Sequence, residues 1–140
     1  MLPFIYSSAQ QIAGGQFHSL AVCCNATVRS WGYNNYGQLG DGTPIQRNIP
    51  VQVSGQTGII AIAGGYLHTL ALKNDGTVWA WGYNANGQLG DGTTTNRWTP
   101  VQVSGLTGIT AIAGVGNHSL ALKNDGTVWT WGHNANGQLG

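Results

Sequence analysis

Three observations predict that this 140-residue chain folds entirely as β-strands, built from repeated four-stranded units. Residues 51–90 recur at 101–140 with eight differences in forty positions, and a looser copy covers 11–40. His18, His68 and His118 are fifty apart, as are the Trp-Gly pairs at 31–32, 81–82 and 131–132, so the period holds without a slip. No segment spaces its apolar residues with a helical period; short apolar or alternating runs end instead at Gly, Asn and Asp. A fixed period of this length means that each unit buries its faces against its neighbours.

The second unit gives the clearest strands. Ile60-Ala61-Ile62-Ala63 is an apolar run closed by Gly64-Gly65. His68 to Leu72 alternates and stops at Lys73-Asn74-Asp75-Gly76, a strong turn signal. Thr77 to Trp81 makes a third strand, a long polar loop is expected from Asn84 to Thr99, and Pro100-Val101-Gln102-Val103 is read as the fourth. Four-stranded meanders at a period of fifty fit a β-propeller of antiparallel blades, about three per chain. The repeat domain spans 1–140, with blades at approximately 8–54, 55–104 and 105–140, and 1–7 read as a closing strand of a neighbouring blade.

Composition narrows the function classes. Only 6% of residues are charged, there is no Glu, and the formal net charge is +1, so the clustered Lys and Arg of a nucleic-acid or membrane-surface footprint are missing. Cys23 and Cys24 are adjacent, unsuited to a disulfide and unlike a CxxC site, and are read as small strand residues. The opening Met1 to Tyr6 lacks the basic start and length of an export signal. No membrane span is read, and the composition suits a secreted bacterial protein.

A resemblance enters at particular residues. Ala61 to Leu72, then Asp75-Gly76-Thr77-Val78-Trp79, Trp81-Gly82-Tyr83-Asn84 and Asn86-Gly87-Gln88-Leu89-Gly90, resemble the regulator-of-chromosome-condensation repeat, three times over. The resemblance implies a propeller, usually seven-bladed, serving as a protein-binding platform in proteins as different as a nucleotide-exchange factor and secreted inhibitors of β-lactamases. The fold therefore does not settle the function.

The two ends look complementary. Leu2 to Ser7 can be laid on Ile49 to Ser54 with a linker three residues shorter, while the third unit stops at Gly140 without a fourth strand. Strand exchange between two chains joined head to tail would give a closed six-bladed homodimer; the alternative is a fragment of a longer propeller.

Candidates for chemistry mostly have structural readings. His18, His68 and His118 sit in different blades without a second ligand at short spacing, so they are expected to bond backbone and lock the blade rather than to hold a metal. His133, in place of Tyr33 and Tyr83, is read as a surface variant. Asp41 and Asp91 are expected to cap their loops, and Asp75 and Asp125 to serve turns, which leaves no carboxylate pair for acid-base work. No nucleophile elbow or phosphate loop is present, so no enzyme, cofactor or metal is expected. Trp31, Trp81 and Trp131 are read as blade packing, together with Trp79 and Trp129.

Copies within the chain also show what the blade leaves free. The varying positions fall in the turn after the first strand and the loop after the third, which share one face of a meander. Phe17, Tyr33, Tyr66, Leu67, Tyr83 and Trp98, with Arg47 and Arg97 nearby, are the candidate contacts for a protein partner. A lectin-like module stacking sugars on exposed Trp is the alternative. The first copy departs from the rest: Cys23-Cys24-Asn25-Ala26 replaces Lys-Asn-Asp-Gly and Arg29 replaces a Trp, so its turn is expected to be less regular.

Overall fold

The computed structural model describes residues 9–140, in eleven strands with no helix among them. β1 (Ala9–Gly14), β2 (His18–Cys23), β3 (Val28–Gly32) and β4 (Arg47–Gln52) form the first antiparallel sheet, in chain order. β5 (Ile59–Gly64), β6 (His68–Lys73), β7 (Val78–Gly82) and β8 (Arg97–Gln102) form the second. β9 (Ile109–Val115), β10 (His118–Lys123) and β11 (Val128–Gly132) form a three-stranded third. Each sheet is one blade, as the repeat predicts. The expected closing strand at 1–7 lies outside the described residues.

Two strand readings need correction. The fourth strand begins at Arg47 and Arg97, three residues before the prolines that were expected to open it, because Gly32 pairs with Arg47 and Gly82 with Arg97 across an irregularity in the ladder. Pro50 and Pro100 are thus interior to β4 and β8. They are tolerated because these are edge strands, where a missing N–H removes no ladder bond. Trp98 accordingly lies on β8, not in the loop. The cysteines are not both strand residues either: Cys23 ends β2 and Cys24 is exposed in the turn that follows.

The turns between second and third strands follow their sequence. Lys73 N–H donates to Thr77 O and Gly76 N–H to Lys73 O, with Gly76 in the left-handed region at φ 79°. The Asp75 carboxylate accepts from Thr77 N–H and Oγ1. In the first blade Ala26 occupies the glycine position at φ 57°, the non-glycine residue with positive φ among those described. The irregularity expected of that turn is therefore a strained backbone within an otherwise retained hydrogen-bond pattern.

The core lies between blades rather than within them. Leu20, Val22, Val28 and Val53 of the first blade pack on Ile62, Ala71 and Trp81 of the second. Leu70, Leu72, Val78, Ala80 and Val103 of the second pack in the same way on Ile112, Ala121 and Trp131 of the third. The first strands come closest to one another. Tyr66 N–H donates to Gly116 O at 2.8 Å, and a Cβ on Gly64 would stand 2.6 Å from Gly15 N. The Gly-rich ends of these strands are thus spacing devices between blades.

Candidate functional site

The seam between blades fixes the platform. Thr69 Oγ1 lies 2.9 Å from both His18 Nε2 and Gln38 O, and the Trp81 indole Nε1 donates to the same Gln38 O at 2.9 Å. The next seam repeats this with His68, Ser119, Gln88 and Trp131. Two oxygens in such contact need a proton between them, so the hydroxyl donates to the Gln carbonyl. The imidazole must then donate through Nε2, which makes it the neutral tautomer carrying its proton there. The expected histidine bond to backbone is corrected for two of the three: His18 and His68 each bond a hydroxyl of the following blade, because their side chains point across the seam.

Burial holds these rings neutral. It pulls His18 from 6.5 down to about 4, and it pulls His68 to about 3 with smaller contributions from His18 and His118. Among the described residues no three His, Cys, Asp or Glu side chains gather as a metal site.

The long loop is organised by one buried asparagine. Asn34 Nδ2 donates to Asp41 Oδ1, Thr43 O and Ile45 O, while its Oδ1 accepts from Leu39 N–H. Asn84 does the same in the second blade. Asp41 caps the loop by accepting from Thr43 and pairs with Arg47 at 2.8 Å; Asp91 pairs with Arg97 at 2.7 Å. Partial burial pushes both carboxyls up, but the bonds from Thr, Arg and Asn outweigh it, and both end below the ordinary carboxylate value. Arg47 and Arg97 are therefore committed to holding loops.

On this scaffold stands a run of aromatic rings. Phe17 meets Tyr33 edge-on with centroids 6.1 Å apart, Tyr33 lies 6.3 Å from Tyr36, and Tyr36 meets Tyr83 edge-on at 5.0 Å. Phe17, Gly32, Tyr33, Tyr36 and Gln46 of the first blade, with Leu67 of the second, line an open groove of about 650 Å³. The structure thus gathers Phe17, Tyr33, Leu67 and Tyr83 from the predicted set. Tyr66 is exposed but does not line the groove, and Trp98 is half exposed, its ring against the backbone of Gly37.

Sequence reasoning missed Tyr36 and Gln46. Comparison of copies could have found Tyr36, since Asn86 and Asn136 stand at its position. His133 Nδ1 lies 2.9 Å from Gln138 Nε2, an amide whose counterparts in Gln38 and Gln88 are buried without a hydrogen-bond partner among the described residues. Trp79 is no simple packing residue: it lies under the Lys73 ammonium at 4.5 Å, and Trp129 is half exposed.

A profile of the regulator of chromosome condensation (RCC1) repeat matches residues 27–72 and 75–122, and a second profile of that repeat matches 9–38, 59–88 and 109–138. The chain belongs to the RCC1 repeat family. Human WBSCR16 superposes with a TM-score of 0.84 at 29% identity over 96% of this chain and 35% of its own. Prp20p, the RCC1 of Saccharomyces cerevisiae, gives 0.75 at 24% identity over 90% of this chain and 33% of its own, in a structure described with its binding to Gsp1p and histones. The ultraviolet-B receptor UVR8 of Arabidopsis thaliana is 38% identical over 47 residues, 34% of this chain and 11% of that protein. The chain thus spans about a third of the length of these propeller structures, and its RCC1-like repeat fold is shared with them.

Proposed function

We propose that this chain is a non-enzymatic protein-binding module that uses its loop face. The observation that carries the reading is the groove between first and second blades, where aromatic side chains of three loop segments converge on an open surface. Exposed Tyr and Phe on a rigid scaffold lose little rotamer freedom on binding and bury large area, which is why such residues dominate protein interfaces. The binding of Gsp1p and histones named for the yeast relative supports a platform role in general, without transferring those partners.

Affinity capture with the immobilised chain, followed by direct titration of the captured protein, tests this. Tyr36→Ala and Phe17→Ala should each weaken binding at least about tenfold, whereas a protein bound equally well by both variants would overturn the groove. Tyr66→Ala measures how far the contact extends beyond it. A second reading, a lectin-like module, draws on the half-exposed Trp98 and Trp129; glycan-array binding lost on Trp98→Ala would favour it. We further propose that the working unit is a ring of two chains joined head to tail.

A further inference from the structure

The groove between the first and second blades has a chemistry that narrows its occupant. None of its lining residues, Phe17, Gly32, Tyr33, Tyr36, Gln46 and Leu67, carries a charge. Arg47, which follows Gln46 in the chain, is already paired with Asp41 at 2.8 Å. A charged segment would therefore lose hydration in the groove without gaining an opposite charge.

Hydrogen-bonding capacity separates the neutral occupants. The backbone N–H groups of the three tyrosines are spent: Tyr33 donates to Phe17 O at 2.9 Å, Tyr83 to Leu67 O at 2.8 Å, and Tyr36 to Gln38 Oε1 at 3.1 Å. A peptide added as a strand needs a free backbone edge, which these groups do not offer. An amphipathic helix bonds its own carbonyls and has no use for polar groups in a groove. Yet side-chain donors are present. Among the described residues, neither the exposed Gln46 amide nor the Tyr33 and Tyr36 hydroxyls take part in a hydrogen bond. Polyproline II backbone is the ligand that needs such donors, because its carbonyls are unpaired within the helix and its prolines have no N–H to offer in return.

The rings fit that ligand as well. From Phe17 through Tyr33 and Tyr36 to Tyr83 successive centroids stand 6.1, 6.3 and 5.0 Å apart, and a polyproline II helix advances about 6.2 Å over two residues. Neighbouring rings incline at 68°, 59° and 71°, so they present edges and faces in turn instead of one flat stack. At the second junction Asn117, Asn86 and Asn96 stand where Phe17, Tyr36 and Gln46 stand at the first, so the run of rings is not repeated there.

We propose that the groove takes an uncharged, proline-rich segment of a protein partner in the polyproline II conformation. Its prolines pack between the rings, and its carbonyls accept from the Gln46 amide and the tyrosine hydroxyls. This rests on the protein-binding reading of the same groove and adds the class of segment bound. Such a segment is stiff before it binds, so little conformational freedom is lost on docking.

Fluorescence anisotropy of a labelled oligoproline of about ten residues, titrated with the full chain, tests it. A Gly-Ser peptide of equal length should bind at least about tenfold more weakly. Raising the salt to about 0.5 M should leave oligoproline binding unchanged, since no charge pair is formed. Phe17→Ala should weaken binding about tenfold, and Gln46→Ala, on an exposed side chain, about fivefold, the worth of one hydrogen bond; circular dichroism checks that both variants fold. Oligoproline that does not bind, or that binds both variants as tightly as the unmodified chain, would overturn the proposal. So would a trimethyllysine peptide bound more tightly than oligoproline, which would make the rings a cage for cations. The two readings fail separately: a captured protein whose binding falls in Phe17→Ala while oligoproline stays unbound keeps the protein-binding groove and rejects its proline-rich occupant.

Discussion

The two internal seams are nearly superimposable in chemistry, while the loop surfaces above them are not. Below, His-hydroxyl-Gln-Trp contacts recur within 0.1 Å, at 2.9, 2.9 and 2.9 Å in one seam and 2.9, 2.8 and 2.9 Å in the other. Above, Phe17, Tyr36, Gln46 and Leu67 at the first seam give way to Leu67, Asn86, Asn96 and Asn117 at the second. Buried positions are held by their neighbours on both sides, so repetition there reports packing. The loop positions face solvent, and their divergence confines an aromatic groove to one junction.

The largest expected break is in the seam. Trp81 is wholly buried and holds the Gln38 carbonyl, so Trp81→Ala should cost roughly 3–5 kcal/mol by combining a cavity with a lost bond, read as a large fall in melting temperature. Unfolding that is no easier than in the unmodified chain would show that the seam is not what joins the blades.

Acid should loosen both seams. His18 and His68 have folded values of about 4 and about 3, below their ordinary 6.5, so the unfolded chain takes up protons first. Stability is then full above about pH 6.5 and falls as pH drops toward 4, by up to about 1.4 kcal/mol per pH unit for each ring in that window. Denaturant midpoints measured between pH 7 and 4 check this, and His68→Gln should flatten the dependence. Below pH 4 the lowered carboxyls of Asp41 and Asp91 add a further loss as they protonate.

Tyr36→Ala sharpens the other side of the comparison. It should cost about 1–2 kcal/mol of stability, since it removes the half-buried ring's contacts with Tyr33 and Tyr83, well below the seam change, while lowering partner affinity. Smallest of all, Ala26→Gly should stabilise the first blade by about 1 kcal/mol by relieving a left-handed alanine, detectable by chemical denaturation. A destabilising result would mean that the alanine's lower unfolded-state entropy outweighs the strain.

Sequence determined the blade count, the order of strands and the turn geometry, because period and local turn chemistry act over a few residues. Gly76 could be assigned its tight turn from the Asn-Asp-Gly signal alone. The chain could also show where variation lay, and so which end of the blade was free to bind. Tertiary structure alone decided what that variation built: Tyr36 and Gln46 join Phe17 and Leu67 only because two blades bring separate loops together. It also decided the role of the histidines, whose partners lie 51 residues away. Fifty-residue repetition implies that blades touch; which nitrogen meets which hydroxyl depends on how the sheets are stacked, and no local rule contains that angle.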